Sequence, residues 1–445
     1  MREKEFLPLV ADKLGIEELN PMQTRMMQTS SEGRDIILLS PTGSGKTLAF
    51  SLALLKFLKP STGRVQAVII APSRELVIQI SGVLGAIASG FKVTPLYGGH
   101  KVEDEVNSLA AGTDIIVATP GRLLDHMQRR NVELLPTRIL VLDEFDKSLE
   151  LGFEKEMKKI VERLKNVSRV ILTSATRADI LPEFLSLNNP VTLDYLGGNE
   201  CLRNRMRVHR VDSDANDKLD SLLLLLRNIA AKGDGVQRMI IFVNHRESAE
   251  RVSQFLQKKG MPAVLYHGAL DQRDREKALA MFNNGTRPLL VATDLAARGL
   301  DIRDVRGVVH YHQPLTAETY THRNGRTARV EAEGDIYVLV GPEETVKDYI
   351  SFDDTYRLDN ECVAVPATTG DTIYVSAGKR EKISRGDLLG FIVKQCGIPA
   401  EAVGKIDVYD HYALVSLAKG YAPEVVAACK IHKIKGSKRL LTLLP

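Results

Sequence analysis

The feature that most restricts the fold of this 445-residue chain is a series of short runs that are apolar at every position. Asp35-Ile36-Ile37-Leu38-Leu39, Ala67-Val68-Ile69-Ile70, Asp114-Ile115-Ile116-Val117, Ile139-Leu140-Val141-Leu142 and Val170-Ile171-Leu172, two of them opened by an Asp, alternate with longer segments of helical periodicity. A strand that is apolar on both faces must be covered on both, which helices crossing between parallel strands achieve. The spacing therefore predicts a doubly wound α/β domain over residues 1–200. Gly197-Gly198-Asn199 breaks the pattern, and it resumes with Met239-Ile240-Ile241-Phe242-Val243, Ala263-Val264-Leu265, Leu289-Leu290-Val291 and Val308-Val309, predicting a second such domain over 205–350. At about 150 residues per domain the length has room for both and for a smaller third.

Residues 351–370 read as a linker and 371–445 as a separate unit. In that unit Thr372 to Val375 reads as a strand, Arg385 to Cys396 as a helix, and Lys405 to Leu417 as two strands turning near Asp410-His411. Pro423 to Lys433 reads as a second helix and Arg439 to Leu443 as a last strand. The order βαββαβ is that of a small RNA-recognition-like sandwich. The tail carries 12 Lys/Arg against 7 Asp/Glu, although the whole chain has a net charge of only +4, so the remaining residues are nearly neutral. Such segregation fits a polyanionic partner; a solvated basic face accounts equally well for the charge taken alone.

Composition excludes other classes. Hydrophobic residues at 44% and charged residues at 26% are those of a folded globular protein. Cys201, Cys362, Cys396 and Cys429 form no CxxC pair, which argues against a disulfide framework or a zinc ribbon and for a reducing compartment. The charged start, Arg2-Glu3-Lys4-Glu5, lacks the apolar stretch of a secretory signal, and no apolar run reaches membrane-spanning length. A cytoplasmic location is the expectation.

Chemistry enters at the strand ends. Ser40-Pro41-Thr42-Gly43-Ser44-Gly45-Lys46-Thr47 follows the first apolar run and opens a helix, as a phosphate loop does. There, glycines let backbone N–H groups approach phosphates, the lysine reaches the β and γ phosphates, and the Thr hydroxyl ligates Mg²⁺. Asp143-Glu144 ends another strand, where one carboxylate would hold the metal and its neighbour orient a water. In the second domain His322-Arg323-Asn324-Gly325-Arg326-Thr327-Ala328-Arg329 supplies cations but no phosphate loop. Arg326 and Arg329, expected one helical turn apart, read as arginine fingers for a γ-phosphate.

These motifs, in this order, resemble those of the DEAD-box RNA helicases across roughly the first 350 residues. Phe6 and Pro21-Met22-Gln23 resemble the adenine-reading Q motif; the phosphate loop resembles motif I. Arg74 within Pro72-Ser73-Arg74-Glu75-Leu76, Gly99 of Gly98-Gly99, and Thr119 with Arg122 of Thr119-Pro120-Gly121-Arg122 resemble RNA-contacting elements. Asp143-Glu144-Phe145-Asp146 resembles motif II and Ser174-Ala175-Thr176 motif III. Ile241-Phe242-Val243-Asn244 resembles motif IV, Gln272 with Arg275 the QxxR element, and Ala292-Thr293-Asp294 with Arg298-Gly299-Leu300-Asp301 motif V. His322 to Arg329 resembles motif VI. The resemblance implies two RecA-like domains and an RNA-stimulated ATPase whose cofactors are ATP and Mg²⁺. It implies ATP contacts from Phe6, Gln23, Thr42, Gly43, Ser44, Gly45, Lys46, Thr47 and Asp301, with Thr47 and Asp143 at the metal. It gives coupling roles to Asp146, Ser174, Thr176, Arg298 and His322, and an RNA track to Arg74, Gly99, Thr119, Arg122, Gln272, Arg275 and Thr293.

The tail is similar to the C-terminal RNA-binding domain of the DbpA group of bacterial helicases, through Ile383 to Gly390, Val403 to Asp410 and Ile434-Lys435-Gly436. That similarity implies a tether to structured ribosomal RNA; Lys379, Arg380, Lys382 and Arg385 are the basic cluster expected to touch it. The expected protein is a monomer that meets RNA and no membrane. Aromatics are 5% with no Trp, so a long base-stacking platform is not expected.

Departures from the family pattern are Ser40 and Phe145 where Ala is usual, Ser73 for Thr, Asn324 at an apolar position and Ala328 for Gly. None deletes a catalytic group. Phe145, beside the carboxylates, keeps a second reading open: an ATP-gated RNA clamp or annealing chaperone instead of a helicase that opens short duplexes.

Overall fold

The computed structural model describes residues 3–41, 43–177, 181–196, 206–233, 238–294, 302, 305–327 and 333–444, without the side chains of residues 3–6. The chain divides into two compact units, the first ending its described part at residue 196 and the second beginning at residue 206.

In the first unit the apolar runs become β1 (Ile36–Leu39), β2 (Ala67–Ile70), β4 (Ile115–Ala118), β5 (Ile139–Leu142) and β6 (Arg169–Ser174), joined by β3 (Val93–Leu96) and β7 (Val191–Asp194). Among the described residues they form one parallel sheet of order β3-β4-β2-β5-β6-β1-β7. Alternation along each strand divides the core. Ile36, Leu38, Ile69, Val117 and Val141 pack with the helices Lys46–Phe57 and Arg74–Ile87 on one face. Val68, Ile70, Ile116, Leu140 and Leu142 pack on the other with Met157, Ile160 and Phe145. Leu39 stands opposite Ser174, and Ile70 opposite both Ala118 and Leu142. The C-terminal ends of these strands are therefore level, and the motif residues that follow them emerge along one edge.

The second unit repeats this plan with β8 (Met206–Asp212), β9 (Arg238–Phe242), β10 (Ala263–Tyr266), β11 (Leu289–Ala292), β12 (Val305–His310), β13 (Gly334–Val340) and β14 (Asp354–Thr355). The parallel order is β10-β11-β9-β12-β13-β8-β14. The segment 351–370, expected as a linker, is in its first half part of this domain. β14 pairs with β8, the Asn228 side chain donates to Asp359 O at 3.0 Å, and Tyr356 and Leu358 pack on the core. Apolar residues interleaved with Asp and Arg in 351–359 are what an edge-covering segment requires.

The tail also lies within the second unit. β15 (Gly370–Val375), β16 (Val403–Val408), β17 (Ala413–Ala418) and β18 (Leu441–Leu444) form an antiparallel sheet of order β16-β17-β15-β18. The helices are Arg385–Gly390, extended by a π-helical turn Phe391–Gln395, and Ala422–Ile431. Ser384 and Asp387 close a capping box on the first. This is the βαββαβ order read from the sequence, with its own core of Ile373, Val375, Leu388, Phe391, Val415, Leu417 and Val425.

Phe145 is a core residue of the first domain. Its backbone follows the carboxylates, but its ring is 2% exposed and belongs to the cluster on the Leu140 and Leu142 face of the sheet. Replacing it by the small residue usual in the family leaves a cavity. We expect Phe145→Ala to destabilise the first domain by about 3 kcal/mol or more, read as a lower urea midpoint for that domain's transition; an unchanged midpoint overturns this placement.

Candidate functional site

The phosphate loop turns on two glycines with left-handed backbone, Gly43 at φ 83° and Gly45 at φ 90°, a conformation nearly closed to other residues. Lys46 is buried, and its Nζ donates to Ser40 O at 2.6 Å, folding the lysine back over the loop. Ser40 Oγ donates to Ser44 Oγ at 2.6 Å, so the departure at position 40 adds a strap across the loop. Thr47 follows Lys46 in the helix Lys46–Phe57; Thr42 lies outside the described residues.

Gln23 is placed by a capping box. Its backbone N–H donates to Asn20 Oδ1 and its Oε1 accepts from Asn20 N–H, while its Nε2 donates to Gly45 O at 3.3 Å. Asn20 Nδ2 donates to Ser44 O at 3.0 Å. Asn20 and Gln23 thus hold the loop's C-terminal half, and a side chain at Gly45 would run into Gln23 Nε2. Asn20 carried no functional expectation, yet its capping signature was readable. Phe6 lies on the helix Glu3–Leu14, with its side chain outside the described residues.

Asp143 and Glu144 are both buried, and Glu144 takes the left-handed conformation at φ 47°. Thr173 Oγ1 accepts from Glu144 N–H at 3.1 Å and donates to Asp143 Oδ1. Burial first, then the neighbouring Glu144 charge, pushes the Asp143 carboxyl up to about 6. Two adjacent buried carboxylates, one of them held less acidic than usual, have the chemistry that suits a divalent cation.

Asp146 joins two motifs. Its Oδ2 accepts from Thr176 Oγ1 at 2.9 Å and from Ala175 N–H at 3.2 Å. Ser174 Oγ donates to Thr176 O at 2.6 Å, and Ser174 O accepts from Ser40 N–H at 3.0 Å. The phosphate loop, Asp143 to Asp146, and Ser174 to Thr176 are therefore one hydrogen-bonded unit.

Along the same edge stand Arg74, Gly99, Thr119 and Arg122. Ser73 caps the helix Arg74–Ile87 by accepting from Leu76 N–H at 3.2 Å, which requires only a hydroxyl and tolerates the departure from Thr. Gly98 leaves space for the Arg74 guanidinium, whose nearest atom would stand 3.2 Å from any Cβ there. Gly99 has φ 101°, and Thr119 is the N-cap residue of the helix Pro120–Gln128. The residue that organises this group was not foreseen: Glu105. It is buried, and its carboxylate accepts from Arg122 Nε at 2.5 Å and Tyr97 N–H at 2.9 Å and pairs with His126 Nε2 at 2.6 Å and His100 Nε2 at 3.0 Å. Burial pushes its carboxyl upward, but the hydrogen bonds from His100, His126, Tyr97 and Arg122 outweigh it and hold the group at about 2.

In the second domain Arg275 is buried and Gln272 half-buried on the helix Gln272–Asn283, and Thr293 follows β11. His322 is buried on the helix Ala317–Asn324. That helix ends at Asn324 with Gly325 beyond it, so Arg326, also buried, follows the helix; its expected helical partner Arg329 falls outside the described residues. Arg298, Asp301, Ala328 and Arg329 lie outside the described residues. Arg323, unassigned from sequence, ties three motifs together. It donates to Asp294 Oδ1 at 2.6 Å, Asn244 Oδ1 at 2.8 Å and His312 O at 2.9 Å, and lies 5.2 Å over the Phe242 ring. Asn324 is explained by His310, whose Nε2 stands 2.8 Å from Asn324 Oδ1. Burial and the Arg323 charge push that imidazole down to about 3, leaving it neutral. In the tail, Lys379, Arg380, Lys382 and Arg385 are all exposed.

Family models match in the same order: a DEAD/DEAH box helicase domain over residues 20–183, a helicase conserved C-terminal domain over 214–331 and a DbpA RNA binding domain over 372–442. The ATP-dependent RNA helicase DbpA of Escherichia coli is 30% identical over 97% of this chain and 96% of its own length. The chain belongs to the DEAD-box ATP-dependent RNA helicases. Solved structures of this family are similar to it: Mss116 bound to single-stranded RNA and UDP-BeF, at TM-score 0.68 and 26% identity over 76% of this chain and 73% of that one. Dbp5 of S. cerevisiae, bound to RNA and ADP BeF3, aligns at TM-score 0.65 and 27% identity over 76% and 87%. As a DEAD-box helicase the chain is an RNA-stimulated ATPase built of two RecA-like domains and an RNA-binding tail.

The raised Asp143 carboxyl has a measurable effect. Folding takes it from an ordinary 3.8 to about 6, so the folded chain holds this proton more tightly than the unfolded one. That advantage is complete below pH 3.8 and is lost as pH rises through 6. Asp143→Asn keeps an acceptor for Thr173 without the charge. We expect it to stabilise the nucleotide-free protein at pH 8 by on the order of 2 kcal/mol while abolishing ATP hydrolysis, with the gain in unfolding temperature vanishing at low pH.

Proposed function

We propose that this helicase couples ATP hydrolysis to local opening of short RNA duplexes, acting on structured ribosomal RNA during large-subunit assembly as a cytoplasmic monomer. The observation that carries the coupling is the Asp146 carboxylate, bonded at once to Ala175 and Thr176 and so joining the hydrolytic carboxylates to motif III. In this reading ATP and single-stranded RNA draw the two helicase domains together, bend one strand and strip its partner; hydrolysis releases the clamp.

Lys46 is released from Ser40 O to meet the β and γ phosphates. Thr47 and Asp143 would hold Mg²⁺, whose charge offsets that of the phosphates. Glu144 orients the attacking water, and Arg326 and Arg329 supply positive charge to the γ-phosphate. Phe6 and Gln23 serve the adenine, and Asp301 the ribose. Arg298 and His322 carry the state of the nucleotide to the RNA track. Arg74, Gly99, Thr119, Arg122, Gln272, Arg275 and Thr293 hold phosphates and sugars along that track, where ribose 2′-hydroxyls mark RNA. The exposed cluster Lys379, Arg380, Lys382 and Arg385 anchors the tail. The reading as a clamp without unwinding rested on Phe145, and that ring packs in the core while the Asp146 bonds stand. Duplex opening is therefore favoured.

Glu144→Gln keeps the shape of the side chain and removes its charge. The variant is expected to hold ATP and RNA in a long-lived complex with hydrolysis reduced at least about a hundredfold, by analogy with the loss of one positioned catalytic group; wild-type turnover overturns the water-orienting role. On a short RNA duplex the wild type should displace a strand with ATP. Binding without displacement would restore the clamp reading.

Joint replacement of Lys379, Arg380, Lys382 and Arg385 by Ala should leave stimulation by saturating poly(A) intact. It should raise the ribosomal RNA concentration needed for half-maximal ATPase, and lower its dependence on salt by about four counterions' worth of slope. An identical ribosomal RNA titration for both proteins would sink the tether.

A further inference from the structure

The helix Gln272–Asn283 has two faces with different duties. Gln272 and Arg275 belong to the RNA track proposed above, and the residues between and beyond them seat the tail. The Arg273 guanidinium lies 4.6 Å over the Tyr374 ring and 5.3 Å over Tyr412, and Lys277 Nζ 5.6 Å over Tyr374. At the end of the helix Asn284 Nδ2 donates to Asp371 O at 2.6 Å, and Thr286 Oγ1 meets Thr372 Oγ1 at 2.9 Å. A Cβ at Gly370 would stand 2.1 Å from Asn284 O, so the two backbones meet without room for a side chain.

One carboxylate bridges the two duties. Glu276 Oε2 accepts from the Tyr412 hydroxyl, and Glu276 Oε1 accepts from Gln272 Nε2 at 3.0 Å. Gln272 Oε1 is buried and has no hydrogen-bond partner among the described residues. With Nε2 fixed by Glu276, that oxygen has one defined direction. Tyr412 is in turn continuous with the basic loop. It stacks on Tyr409 at 4.7 Å, and Tyr409 O and Asp410 O accept from the backbone N–H groups of Lys379 and Arg380 at 2.8 and 2.9 Å.

We propose that Tyr412 and Glu276 are positioning residues that orient Gln272, so that the seated tail sets the conformation of the Gln272 side chain in the RNA track of the core. This rests on the reading of Gln272 as an RNA contact. Burial and the Glu276 carboxylate both push the Tyr412 phenol upward, so it donates throughout the ordinary pH range.

The test is a double-mutant cycle on the full-length chain, with ATPase stimulation by poly(A) as the readout, a single-stranded RNA chosen because the tail's own target is absent from it. Tyr412→Phe removes one hydroxyl and keeps the aromatic stack. It should raise the poly(A) concentration for half-maximal stimulation about threefold to tenfold, the scale of one hydrogen bond, with the maximal rate unchanged. Glu276→Ala should do at least as much. In a Gln272→Ala background Tyr412→Phe should add nothing, whereas independent effects would add. If Gln272→Ala alone shifts the poly(A) dependence and Tyr412→Phe does not, or if the two effects add, the positioning role is wrong and the RNA-track reading survives. If Gln272→Ala changes nothing, that reading itself fails and the positioning role with it.

Discussion

The constraint on which the structure depends is that both parallel sheets are covered on both faces. Strands such as β2, β4, β5 and β11 are buried at every position, and their polar backbone is matched by neighbouring strands. A charged side chain placed there would lose its hydration without compensation. Chemistry is thereby confined to the ends of strands, where Lys46, Asp143, Ser174 and Thr293 appear just beyond or at the last residue of an apolar run. Level registers then set those ends side by side without further design.

Charges driven to one edge have to be kept from neutralising or repelling one another, and the molecule handles its carboxylates in two ways. Glu105 receives hydrogen bonds from four groups and is held strongly acidic, which turns it into a fixed anchor for Arg122. Asp143 receives a hydroxyl from Thr173, stands beside Glu144 and is held less acidic than an ordinary carboxyl. The first is a finished structural charge. The second is an incomplete one, which in the proposed reading a cation and phosphates complete; the difference between them separates support from chemistry more reliably than burial, since both are buried.

What was legible in the sequence follows from the same constraint. Runs apolar on both faces announce interior strands, so β1, β2, β4, β5, β6 and β9 were read within a residue or two of their ends. The strands at or near sheet edges, β3 with Thr94 and Pro95, β7, β8 with its alternating charges, and β14, face neighbours or solvent on unequal terms and lack the signature. Motif residues contiguous in sequence were legible for the same reason that phosphate loops are: one turn of backbone makes the site. Glu105, Arg323 and Glu276 were not, because each acts through partners 17 or more residues distant or on another element, as with Arg122, Asn244 and Tyr412. At Arg326 the described helix has already ended, at Asn324 with Gly325 beyond it, and periodicity extrapolated through a glycine has no physical basis.

The seating of the tail on the helix Gln272–Asn283 changes what tethering accomplishes. A tail on a free linker raises the effective concentration of its RNA near the core, but over all directions that the linker samples. Here the segment 351–362 is folded onto the second domain, and Gly370 fits against Asn284 with no room for a side chain. The basic loop at Lys379 to Arg385 and the track residues Gln272 and Arg275 consequently belong to one compact unit. An RNA held by both has a fixed distance and direction between its two contacts. In the proposed reading selection then acts on RNA shape, not only on the sequence of the tethered element, because a substrate whose single strand leaves its structured part at the wrong angle cannot satisfy both sites at once.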